Sequence, residues 1–247
     1  HLIGKPILEG GIVNSAEGSM FAYYIQSETS DNCAGFPPIV KPTTFDMATA
    51  TRHLELFNVK HFIAHSARTR KALADSPDWQ HLKSSKEWDL YELTTHDGLY
   101  TSVPKYHPVG VKTEQWKERG LEWIYEPEAL NAPFALLPPG ETDFPGTTIA
   151  ETEYAGALHN PERNPTDAPA SPITREEVTD LRIRFTTRAI GAPHIIKINH
   201  FPNWKVRGAR GVYRVTPGFM LVYPTQADVE LYYGRVLPDI LGILFSC

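Results

Sequence analysis

Ten histidines are the first residues in this sequence that could do chemistry. His61 and His65 are four apart, a spacing that puts two imidazoles on one face of a helix. Here they bracket the run Val59 to Ala64, which reads as a strand. Strand positions four apart lie about 13 Å from each other, so the two cannot chelate one zinc as a local pair. No H-E-x-x-H is present, and His96-Asp97-Gly98 is first a turn signal. No local spacing meets the ligand rules for zinc. No metal and no cofactor is expected. A G-x-S-x-G elbow is absent, as are both glycine-rich phosphate loops. Acids such as Asp31, Asp46, Glu87, Asp89, Glu126 and Glu128 are plentiful, but an acidic chain supplies these in any case. A glycosidase pair needs about 5–10 Å across a cleft, which the sequence does not write. No catalytic residue is expected.

Aromatic side chains carry the better signal. Phe201-Pro202-Asn203-Trp204 puts two rings around a turn at a strand end, and Trp116, Trp123, Tyr223, Tyr232 and Tyr233 add more. Core filling is the ordinary use of such rings, each burying about 150–250 Å². The functional use is a stacking platform for sugar rings, or a partner surface. That use nominates Phe201, Trp204, Lys205, Arg207 and Trp116, with Trp204 exposed beside Lys205 and Arg207.

The elements that must hold these residues fall into two regions. Pro6 to Glu9 and Phe21 to Ile25 read as strands. Residues 29–43 are punctuated by Pro37, Pro38, Pro42 and Gly35 as a loop. Asp46 is placed to cap a helix carrying Met47, Ala50, Leu54 and Phe57 on one face. A strand over Val59 to Ala64 follows, then a helix capped by Ser66. Gln80 to Lys83 and Trp88 to Leu93 flank Ser84-Ser85-Lys86 as a hairpin. Residues 1–93 thus form a small α/β lobe.

From Thr94 short strands alternate with Gly and Pro turns, with one helix near Glu114 to Trp123. Residues 138–172 hold seven prolines and read as an irregular wrap. Glu176-Glu177 near Thr174 resembles a helix start with acids favoured by the dipole. Asp180 to Thr186 alternates apolar and polar residues. His194 to Ile198, Val212 to Val215, Phe219 to Tyr223 and Val229 to Tyr233 are further strands, divided by Pro217-Gly218 and Pro224-Thr225. Strands near ten-residue intervals indicate an antiparallel sandwich. The expected fold is α+β: the lobe 1–93 packed on a jelly-roll-like antiparallel β-sandwich, 94–238.

Composition agrees with a globular chain. Of 247 residues, 41% are hydrophobic and 21% charged, which argues against wholesale disorder. Acids outnumber bases 29 to 24, giving a formal charge of −5, so no basic stripe for nucleic acid is expected. The 21 prolines imply many turns and interrupted sheet edges. Cys33 and Cys247 belong to no C-x-x-C pair and read as two unrelated thiols, although the sequence does not constrain a bridge between them. No basic region followed by an apolar core marks a signal peptide, and no complete span of about 20 apolar residues occurs. The tail 239–247, with Ile240 to Phe245 uncharged and apolar, reads as the start of a membrane span or as a segment docked on the core.

The run Pro193-His194-Ile195-Ile196-Lys197-Ile198-Asn199-His200-Phe201-Pro202-Asn203-Trp204-Lys205-Val206 has a distinctive form: an apolar strand, then an aromatic-Pro-x-Trp-Lys turn. It resembles a segment of the 6-pyruvoyl-tetrahydropterin synthase-related integral membrane proteins, which are similar in layout to membrane glycosyltransferases using lipid-linked donors. Gly211 to Thr225, Leu8 to Gly10 with Phe21 to Glu28, and Leu56 to Ala64 resemble the same proteins in the same order. The resemblance implies an extracytoplasmic, periplasmic domain attached to membrane helices or docked on a membrane-embedded protein. It carries over no catalytic residue, because the catalytic acids of such enzymes stand on loops between membrane helices, and none of those loops is here. The expected role is non-catalytic: holding or positioning a glycan or a protein partner. The alternative is a structural subunit of a larger membrane complex, docking through 138–172 and the apolar tail. A soluble hydrolase with a composite site ranks last.

Overall fold

The computed structural model describes residues 8, 18–30, 38–160 and 164–234. The fold is α+β, and it divides between Leu99 and Tyr100 into two compact units. Cys33, Cys247, the apolar tail and all of the Pro6 to Glu9 run except Leu8 lie outside the described residues.

The first unit runs α1 (Ser19–Thr29), α2 (Met47–Leu56), β1 (His61–Ala64), α3 (Ala67–Asp75), β2 (Trp79–Ser84) and β3 (Asp89–Leu93). The Asp46 carboxylate accepts from the backbone N–H groups of Ala48 and Thr49 at 3.1 and 3.2 Å. These are donors that a helix start leaves open. Ser66 caps α3 in the same way, through the N–H of Thr69 at 3.1 Å. The sheet order is β1-β3-β2 and both pairings are antiparallel. Leu54, Leu73, Trp79, Tyr91 and Leu93 fill the core between helices and sheet, with Ile25 of α1 among them.

The strand expected over Phe21 to Ile25 is instead part of α1. Met20, Phe21, Ala22, Tyr23, Tyr24 and Ile25 are all buried. A helix covered on every side has no apolar stripe for its period to show, and its aromatic content then imitates a strand. Covering it also buries polar groups. Glu28 of α1 meets His53 of α2, Nδ1 to Oε2 at 2.8 Å, with side-chain exposures of 1% and 0%. Burial pushes the Glu28 carboxyl above its ordinary range, against the pull of the His53 hydrogen bond. Glu28 Oε1 and His53 Nε2 have no partner among the described residues.

The second unit runs β4 (Thr101–Ser102), β5 (Val109–Lys112), α4 (Trp116–Ile124), β6 (Phe134–Leu137), β7 (Thr148–Ile149) and α5 (Tyr154–His159), then seven strands. These are β8 (Ile173–Thr179), β9 (Arg182–Thr187), β10 (His194–Asn199), β11 (Trp204–Arg207), β12 (Ala209–Val215), β13 (Phe219–Pro224) and β14 (Asp228–Tyr233). They form a seven-stranded sheet, β4-β10-β13-β12-β6-β5-β7, and a four-stranded sheet, β11-β14-β9-β8. One core joins the two layers: Ile183, Phe185, Trp204, Val229 and Leu231 from the smaller sheet meet Ile196, Met220 and Val222 from the larger. That is a β-sandwich.

It is not antiparallel throughout, as the sequence led us to expect. β5 runs parallel to β6 and to β7, because α4 supplies the crossover that parallel neighbours need. The Glu176-Glu177 pair does not begin a helix but lies within β8. Glu176 accepts from the backbone N–H groups of Tyr100 and Thr101 at 2.9 and 2.7 Å. The wrap over 138–172 contains β7 and α5, and buried Tyr154 and Leu158 anchor it. Between β11 and β12 the chain changes sheets through a single residue, Gly208, at φ 78°. A Cβ there would stand 2.3 Å from the Asp228 carbonyl oxygen, so only glycine fits.

Two histidines make this unit sensitive to acid. His194 is fully buried. Its Nδ1 donates to the Ala192 carbonyl at 2.9 Å, and Nε2 lies 2.7 Å from the Thr187 hydroxyl, which donates to it. Burial pushes its pKa down. His200 is pushed down to about 4, first by burial and then by the Arg214 guanidinium. A histidine with a lowered folded pKa gives stability that is complete above about 6.5 and is lost as pH falls from there to the folded value. Going from pH 7 to pH 4 is therefore expected to cost about 3 kcal/mol through His200 alone. Urea unfolding of wild type and His200→Gln at both pH values checks this. An unchanged acid loss in the variant rules out the assignment.

Candidate functional site

The four-stranded sheet turns one face into the core and the other to solvent, since strand side chains alternate. On β9, Ile183, Phe185 and Thr187 are buried while Arg182 and Arg184 are exposed. Strands β14 and β11 repeat the pattern, with Val229 and Leu231 buried, and with Lys205 and Arg207 exposed. Register then stacks the outward residues into rows. Glu230 lies opposite Arg184 on one side and Arg207 on the other. Tyr232 lies between Arg182 and Lys205.

Glu230 is the hub of this face. Its carboxylate takes Arg184 and Arg207 at 3.0 Å and Arg182 at 3.3 Å. Hydrogen bonds from Arg184 and Arg207, with Arg184 leading, hold the Glu230 carboxyl below its ordinary range. Three guanidiniums share this one carboxylate, while Glu177, opposite Arg184, and Asp228 stand on the same face. The guanidiniums still have donors to give, as each carries five. Arg175 of neighbouring β8 makes no ion pair among the described residues. The Arg207 guanidinium also sits 4.5 Å over the Tyr232 ring, a cation–π contact. Beside these charges lies a hollow of about 510 Å³, walled by Arg175, Glu177, Arg184, Arg207, Gln226 and Asp228. It is an open groove on the sheet surface rather than an enclosed cavity. The Thr186 hydroxyl donates to Asp228 at 2.7 Å and fixes that carboxylate at the wall.

The aromatic platform is not built as expected. Lys205 and Arg207 are on the exposed face, but Trp204 points the other way. It is 7% exposed and packs in the core, edge-on to Tyr233 at 5.5 Å. The reason is parity, because Trp204 and Lys205 are consecutive in a strand and must face opposite sides. Phe201 is exposed and lies 6.2 Å from the Tyr233 ring. Trp116 belongs to α4, where Arg214 of β12 covers its ring at 3.9 Å. No ring contact joins Trp116 to Phe201 or Trp204 among the described residues. Sequence reasoning noted Arg182 and Arg184 only as the polar half of a strand. It missed Glu230 as their hub. An Arg-x-Arg pair on the wet side of a half-buried strand was the available signal.

Among the described residues, no group of three His, Cys, Asp or Glu side chains could hold a metal ion, and no helix is long and apolar enough to cross a membrane. No family model, curated protein or solved structure matches this chain.

Proposed function

We propose that this chain is a non-catalytic, extracytoplasmic binding domain of a membrane assembly, and that it holds a glycan on the open face of its four-stranded sheet. The membrane setting rests on the resemblance of Pro193 to Val206 and of the three further segments. The binding role rests on one observation: the hollow beside the Glu230 cluster, with guanidinium donors at its wall that the fold leaves unspent. Register sets where these side chains start, and the Glu230 carboxylate holds the Arg184 and Arg207 guanidiniums.

A glycan array probed with the full chain tests this. Arg184→Ala is expected to weaken the captured glycans about tenfold, the size of one charge-assisted hydrogen bond, while circular dichroism stays unchanged. Capture that is indifferent to Arg184 and Arg207 removes the hollow from the reading. A second reading, docking on a protein of the membrane complex, has its own observation. Leu181, Phe201 and Tyr233 are exposed apolar residues at one end of the same sheet, where the Tyr233 N–H donates to the Leu181 carbonyl at 2.9 Å. If assembly survives Arg184→Ala but is lost in Leu181→Ser, docking replaces glycan binding.

A further inference from the structure

We infer that the ligand of the hollow is an acidic saccharide: a hydroxylated ring bearing a carboxylate or a phosphate. This rests on the binding reading above and names its chemistry. The wall offers two kinds of group side by side. Arg184 and Arg207 project donors beyond what Glu230 takes, and Arg175 has no ion pair among the described residues. Planar guanidinium forks suit the paired oxygens of an oxyanion. Glu177, Asp228 and the Gln226 amide supply acceptors for ring hydroxyls. The Asp228 Oδ1 takes the Thr186 hydroxyl, and a carboxylate keeps further lone pairs for a ligand donor.

Each simpler ligand fits less well. Arg175, Arg184 and Arg207 are matched in number at the wall by Glu177, Asp228 and Glu230. A bare polyanion therefore gains nothing from the hollow as a whole and meets the Asp228 and Glu177 carboxylates. A neutral sugar usually needs an open aromatic face for stacking. The ring on this face, Tyr232, is already covered by Arg207, and Trp204 is in the core. What remains is a ligand whose acid group takes the arginines and whose hydroxyls donate to the carboxylates.

Calorimetric titration of the full chain with five probes decides the matter: digalacturonate, its dimethyl ester, glucose 1-phosphate, inorganic phosphate and tetraglutamate. Digalacturonate or glucose 1-phosphate is expected to bind at least tenfold tighter than the ester and inorganic phosphate, and which of the two binds identifies the acid group. Arg175→Ala and Asp228→Asn should each weaken that probe severalfold, the second because hydroxyl recognition is lost. Equal binding of the ester overturns the acidic class but leaves a glycan site. Equal binding of inorganic phosphate or tetraglutamate overturns the saccharide. Binding of none of the five overturns the inference, and the binding reading falls with it only if the glycan array is also blank.

Discussion

Trp204→Ala is expected to destabilise the second unit by about 3–5 kcal/mol, the usual cost of truncating a buried aromatic to alanine. The indole packs among Ile183, Val229 and Leu231 from its own sheet and Ile196, Met220 and Val222 from the facing one. Removing it opens a void between two layers that cannot collapse independently. Urea unfolding should show a lower midpoint at an unchanged slope. Trp204→Phe should recover much of the loss, since a ring still fills the space. The distinction matters for function, because a partly unfolded Trp204→Ala protein also stops binding ligand. Loss of sugar binding in that variant is therefore no sign of stacking. A variant that keeps full stability and still loses binding returns Trp204 to the surface.

His53→Ala is expected to cost the first unit about 3–5 kcal/mol, because it leaves the Glu28 carboxylate buried without its partner. The pair is enclosed completely and its members touch at 2.8 Å. The loss should depend on pH. Glu28 has a raised folded pKa, so its contribution is complete below the unfolded value near 4.5 and is lost as pH rises through the folded value. The variant is thus worst at neutral pH and approaches wild type on acidification, where Glu28 is no longer a buried charge. Replacing both residues with leucine should restore most of the stability, since a well-packed apolar pair often equals a buried polar one. Unfolding curves of the single and double variants at pH 4.5 and 7.5 read this directly. A double variant as unstable as His53→Ala would falsify the unpaired-charge explanation.

Local signals explain which elements were legible in the sequence. Asp46 and Ser66 announce α2 and α3 because a helix start must satisfy its own donors within a few residues. Strands β9, β13 and β14 could be read from their residue patterns, alternating or apolar between clear turns. Helix α1 could not, since its residues are enclosed on all sides. β8 was hidden behind two adjacent acids, although one faces inward to bind Tyr100 and Thr101 while the other faces out. Of the hollow's wall, only Arg207 was nominated from the sequence. Its hub pairs Glu230 with arginines 46 and 23 residues away in sequence. Such a cluster exists only once strand order and register are set, and neither is local.

Gly208 gives the binding face a fixed gauge. The backbone steps from one layer to the next in one residue, pressed against Asp228 of the hollow's own wall. Slack cannot accumulate at that crossing. One residue inserted into β11 ahead of it would rotate Arg207 inward and carry Val206 to the wet side, since strand parity admits no half measures. Diversification of this pocket thus rests on side-chain identity along the strands and on the β13–β14 turn, which brings Gln226 to the wall.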